Sequence, residues 1–126
     1  MSRSPIRSAV APGPLGAASP GVSAGRLVFV SAQLPFSREG EASEGPAAEQ
    51  AAQAVQNLAH QLRSTGLSLD DVVSLEIHLV DPADRAAVDT VLEARFTPPF
   101  PAVTLAGVAW LPGGARLQIA AVAQRY

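Results

Sequence analysis

Apolar and polar positions alternate most clearly near the middle of the chain. Val73, Leu75, Ile77 and Leu79 interleave with Ser74, Glu76 and His78. A period of two sends alternate side chains to opposite faces, so residues 72–80 are predicted as a half-buried strand. Upstream the period changes. Ala51, Val55, Leu58, Ala59 and Leu62 recur at helical spacing, while Gln50, Gln53, Gln56 and Arg63 lie off that stripe. A helix is predicted over residues 47–65, with Pro46 at its start and Gly66 at its stop. A second stripe of Ala87 (or Ala83), Val88, Val91, Leu92 and Phe96 predicts a helix over 82–96, opened by Asp81-Pro82.

Shorter signals fill the rest. Arg26 to Ser31 is an apolar run behind Gly25 and suits a buried strand. Residues 37–46 form a polar loop with Gly40 and Gly45, and Ser68 to Asp71 is a turn with a cap. Pro98, Pro99 and Pro101 forbid helix, and two strands are expected after them, at 102–110 and 116–123. Between these, Gly113 and Gly114 supply what a tight reversal needs. Residues 1–20, rich in Pro, Gly, Ala and Ser, are expected to be a flexible arm that becomes ordered near Val22, ahead of a single domain over 21–126.

The predicted order is strand, helix, strand, helix, strand, strand. An α+β architecture satisfies it, with a mixed sheet and both helices packed on one face. The last strands are apolar on both registers, through Ala106, Val108 and Trp110 and through Val103, Leu105, Gly107 and Ala109. A monomer would expose more apolar surface than soluble monomers tolerate, so oligomerisation through the sheet is expected.

Composition narrows the chemistry. At 126 residues the chain fits one domain, and 48% apolar against 16% charged residues is a globular balance. The net charge of −2 gives no drive toward nucleic acid or anionic membrane. No apolar stretch reaches the roughly 20 residues of a bilayer span, and Met1 to Pro14 lacks a secretory apolar core, so a cytoplasmic location is expected. The chain has no Cys, which excludes thiol nucleophiles and thiolate metal sites. All nine basic residues are Arg, so Schiff-base lysine chemistry is excluded too.

Several ordered segments resemble the YjgF/RidA/UK114 family. They are Gly25 to Pro35 (GRLVFVSAQLP), Gln53 to Leu58 (QAVQNL), Gly66 to Val73 (GLSLDDVV), Val80-Asp81 with Asp84, Val88 and Phe96, then Pro101-Ala102, and Leu111 to Ala115 (LPGGA). The resemblance implies a chorismate-mutase-like fold, a homotrimer, and small-molecule clefts between subunits. It implies hydrolysis of reactive imines or enamines such as 2-aminoacrylate, with no cofactor and no metal. In such proteins an Arg after the Pro-Ala pair clamps the substrate carboxylate, and a Glu on the last strand positions water.

Carried over by position, the site residues are Ser31, Asp89, Val103, Thr104 and Ala120. Ser31 and Thr104 keep a hydroxyl. Val103 stands where the resemblance places the Arg, Ala120 where it places the Glu, Asp89 where Asn is common, and Ala18 near an arm Tyr. A bidentate Arg–carboxylate pair is strong and directional, and Val103 has no means of forming one. The expected cleft of Val103, Thr104, Leu105 and Ala120 is therefore apolar and favours a neutral ligand. The function expected is hydrolysis or isomerisation of an imine or enamine by a divergent or biosynthetic member, with a non-catalytic ligand-binding or chaperone-like trimer as the alternative.

Other polar residues have plainer roles in the sequence. Arg26, Arg95 and Arg116 are the nearest candidates to replace the clamp and are read as surface cations. Glu76 and His78 share a strand face as an acid–base or metal pair, with an exposed polar face or an interface hydrogen bond favoured. His60 is expected in solvent, and Trp110 in the core or at the trimer interface.

Overall fold

The computed structural model describes residues 3–126. Eight elements build it: β1 (Ser4–Pro5), β2 (Gly21–Ala24), β3 (Leu27–Gln33), α1 (Ala47–Arg63), β4 (Val72–Leu79), α2 (Arg85–Arg95), β5 (Ala102–Gly107) and β6 (Leu117–Gln124). They form one sheet in the order β1-β2-β3-β6-β4-β5. All neighbours are antiparallel except β4 and β5, which run parallel.

Both helices cover one face of the sheet. Val28, Val30, Leu75, Ile77, Leu79, Leu117, Ile119, Ala121 and Ala123 point toward them and close over Ala51, Val55, Leu58, Leu62 and Val88. The alternation seen in the sequence of β4 is the buried-to-exposed alternation of this strand. α1 ends at Arg63, two residues short of the expected 65, and Gly66 at φ +81° with Leu67 N–H donating to Leu62 O closes the turn behind it. Ser68 and Asp71 cap the next short turn reciprocally, as the Asp pair suggested. The second predicted helix starts with a 3-10 turn at Pro82–Asp84, capped by Asp81, before α2 proper.

Three expectations change. The arm holds more structure than its composition signals: Ser4–Pro5 pairs with β2, Ile6 is buried, and Ser31 N–H donates to Pro20 O. Backbone pairing needs no apolar pattern, so Pro- and Gly-rich sequence conceals it. The last two strands do not pair with each other, because β4 lies between β5 and β6. The glycine link therefore crosses a strand, with Gly113 and Gly114 both at positive φ. Finally, Gln50, Asn57 and Gln61 are buried polar residues on α1. Asn57 Nδ2 donates to Leu34 O and to Phe36 O, both at 2.9 Å. Gln50 Nε2 donates to Gly45 O, and its Oε1 accepts from Arg116 N–H. These amides tie α1 to the loop leaving β3, because buried backbone carbonyls need donors.

The other sheet face is uncovered. It carries Leu27 and Phe29 on β3, Val122 on β6, Glu76 and His78 on β4, and Thr104 on β5. Trp110 is 73% exposed, which excludes its place in the core of the single chain.

Candidate functional site

Strand parity divides the expected site residues between two faces. Val103 registers with Leu75, whose side chain enters the core, so Val103 lies on the helix side. Thr104 registers with Glu76, and Glu76 registers with Ala120, so these three share the open face. The bulge between Val30 and Gln33 sets Ser31 and Ala32 across from Ala120 alone. One row thus crosses four strands: Ser31, Ala120, Glu76, Thr104. The expected grouping of Val103 with Thr104 and Ala120 is not found within one chain. The period of two, used to predict the strands, was the signal that separates them.

On the helix side, Val103 and Asp89 line the same cleft of about 200 Å³, with Leu75, Leu92, Phe96 and Phe100. Glu93 also lines it. Two carboxylates therefore border Val103, and among the described residues no cation lines this cleft. Arg85 approaches Asp89 at 4.0 Å from outside, with its own side chain largely in solvent.

At the exit of β3, Ser31 lines a cleft of about 260 Å³. Gln33, Gln61 and Gln118 supply its polar wall, and Leu15, Ala18, Phe36 and Pro112 much of its apolar wall. Among the described residues, none that is charged lines it. Ser31 Oγ donates to Ser19 O at 2.7 Å, and Gln33 Nε2 donates to Ser31 O at 2.9 Å, so the arm and the strand exit are tied together. Gln61 is 1% exposed, and its Oε1 has no hydrogen-bond partner. A buried carbonyl oxygen without a donor is costly.

Arg3 was not anticipated. It lines a shallower hollow with Ala18, Ser19, Phe29 and Ser31, on the open-face side of the same serine. The three Arg residues weighed from sequence lie elsewhere. Arg116 pairs with Asp84 at 3.1 Å, Arg95 donates to Gln56 Oε1 at 3.1 Å, and Arg26 sits exposed in the turn between β2 and β3. His60 is partly buried against Gln56 rather than solvated. Glu76 and His78 bond each other, His78 Nε2 to Glu76 Oε2 at 2.9 Å, and Gln118 Nε2 lies 2.8 Å from His78 Nδ1.

A six-stranded sheet with two helices on one face, and small clefts at its strand exit and parallel edge, defines a compact α+β cleft protein. Residues 8–125 match the family described as Endoribonuclease L-PSP, the YjgF/RidA family, and the chain belongs to it. It is 34% identical over 124 residues to the human 2-iminobutanoate/2-iminopropanoate deaminase, covering 98% of this chain and 90% of that protein. It is 38% identical over 119 residues to the RutC family protein y4sK of Sinorhizobium fredii, covering 94% of each. The crystal structure of RidA from the Antarctic bacterium Psychrobacter superposes with a TM-score of 0.92 at 34% identity, covering 97% of this chain and 99% of that one.

Proposed function

We propose that this chain is a RidA-like cleft protein that hydrolyses or isomerises an imine or enamine intermediate whose substrate is neutral or apolar. The observation that carries this is the wall of the Ser31 cleft, which offers a hydroxyl and three amide side chains and no charge. Relatives named as imine deaminases support the reaction class. Val103 and Ala120 argue against the carboxylate-bearing substrates those names denote, since neither side chain can bind or position a charged partner.

The working unit in this reading is a homotrimer with its ligand clefts between subunits. Exposed Phe29, Leu27, Val73, Phe100 and Trp110 support association through the open face and the β5 edge. Light scattering should return three times the 12.9 kDa chain. A dilute monomer would refute the assembly.

Freshly generated imines test the reaction. Turnover of a neutral aliphatic imine should exceed turnover of 2-aminoacrylate under the same conditions. A preference for 2-aminoacrylate overturns the neutral-substrate reading. Saturable binding of neutral imines with no turnover would replace hydrolysis by ligand binding.

A further inference from the structure

The open-face row places a carboxylate two strands away from Ser31. Ala120 carries only a methyl group between Ser31 and Glu76. Two strand spacings separate Ser31 from Glu76, roughly 10 Å, which leaves a slot floored by Ala120. Thr104 closes the slot beyond Glu76.

Glu76 is not a free surface acid. His78 lies two residues along the same strand, with Nε2 2.9 Å from Glu76 Oε2. Gln118 registers opposite His78 on β6, with Nε2 2.8 Å from Nδ1. With the amide nitrogen turned to the ring, Nδ1 accepts and Nε2 is the ring nitrogen that donates. Its proton is donated to Glu76. The chain of bonds runs one way, Gln118 to His78 to Glu76, and it ends on a carboxylate oxygen. The Glu76 side chain is 58% exposed, against 22% for His78. Gln118 also lines the Ser31 cleft, which joins the two features. Of the residues that β3, β4, β5 and β6 present on this face, Glu76 and His78 are the titratable ones. A surface ion pair has no need of an amide fixing the far side of its histidine.

We propose that Glu76 is the proton-transfer residue of the imine chemistry, and that His78 and Gln118 position it. This rests on the hydrolysis reading above. For a protonated imine, water attacks the C=N carbon as Glu76 takes one of its protons, and the C=N π pair moves to nitrogen. Glu76 returns that proton to nitrogen. The carbinolamine then collapses to a carbonyl, its C–N bond breaks, and ammonia leaves as ammonium once the hydroxyl proton reaches it. The sum is iminium plus water giving carbonyl plus ammonium, with no oxidant or cofactor.

The experiment compares wild type, Glu76→Gln and Glu76→Ala on a freshly generated neutral imine. Glu76→Gln keeps the size and should lower kcat about 100-fold with KM nearly unchanged, the usual scale for a lost proton-transfer group. Formate should restore part of the Glu76→Ala loss, which a structural role would not permit. His78→Gln, whose amide can still donate to Glu76, should retain most of the activity, whereas His78→Phe should lose about tenfold in kcat. Wild-type turnover left intact by Glu76→Gln overturns this assignment alone. Absence of wild-type turnover overturns the hydrolysis reading and this assignment with it. Unchanged circular dichroism and assembly mass in Glu76→Gln separate lost chemistry from lost folding.

Discussion

Asn57 is expected to hold the wall of the Ser31 cleft in place, and its removal should be costly. It is buried in α1, and its amide donates to the carbonyls of Leu34 and Phe36 at 2.9 Å each. Leu34 and Phe36 both line the cleft. Asn57→Ala leaves both carbonyls without their donor. The Phe36 bond is buried, so its acceptor loses about 2 kcal/mol, and the part-buried Leu34 carbonyl about 1 kcal/mol. Gln53, which donates to Asn57 Oδ1, is half-exposed and can turn to water at little cost. The sum is about 3 kcal/mol before any cavity is counted. In a domain of this size that corresponds to a fall in Tm of about 10–15 °C. Asn57→Asp is the sharper variant: it keeps the volume and removes the amide donors, so it should lose at least as much. Urea unfolding at fixed protein concentration measures both, since association would otherwise shift the midpoint. Arg85→Ala, which breaks only the 4.0 Å exposed pair with Asp89, is the control and should change stability by less than about 0.5 kcal/mol. A loss below about 1 kcal/mol in both Asn57 variants would refute the argument that these two bonds hold the loop.

The remaining predictions concern the clefts and the glycine link. Val103→Arg should gain little carboxylate affinity alone, because Asp89 and Glu93 border the new guanidinium; Val103→Arg with Asp89→Asn should gain several-fold more by calorimetry, and equal affinities would show that the acids do not compete. Arg3→Ala should leave turnover of neutral imines within about twofold while lowering any residual activity on 2-aminoacrylate, the latter unchanged if Arg3 has no part in anion capture. Gly113→Ala should destabilise by about 1–3 kcal/mol, since Gly113 sits at φ +66° and a Cβ there would stand 2.9 Å from Phe36 Cζ; an unchanged urea midpoint would contradict the strain.

What the sequence revealed depended on whether the signal was carried by side-chain pattern or by backbone pairing. β4 and α1 were legible because Leu75, Ile77 and Leu79, and Val55, Leu58 and Leu62, repeat at the period of their elements. β1 was not, because Ser4 and Pro5 join the sheet through backbone groups that leave no periodic trace. The burial of Gln50, Asn57 and Gln61 was equally hidden, since the amides of Gln50 and Asn57 find their partners mainly in backbone groups far along the chain. The site was half legible. Position along β5 was sufficient to single out Val103 and Thr104, but neighbouring residues on a strand face opposite ways, and only the register shows which neighbours each acquires. Glu76 and His78 were visible as a same-face pair. Their support was not, because Gln118 is 40 residues away and meets His78 only through the β4–β6 ladder.

The separation of the two faces also sharpens the argument about charge. Within one chain, the positions lacking an Arg (103) and a Glu (120) fall in different surroundings. Around Val103 the missing cation leaves Asp89 and Glu93 facing an apolar wall, and an anionic substrate would meet repulsion there as well as the loss of its clamp. Around Ala120 the missing carboxylate leaves a gap, yet the adjacent strand supplies Glu76 in the same row. The two changes act differently on an anion: the first removes an attraction, the second a like charge. Neither change leaves a cation in its place: Asp89 and Glu93 border Val103, and Glu76 registers with Ala120. An anionic substrate thus loses its clamp beside Val103 and meets carboxylates there, which is the charge argument behind the proposed neutral substrate.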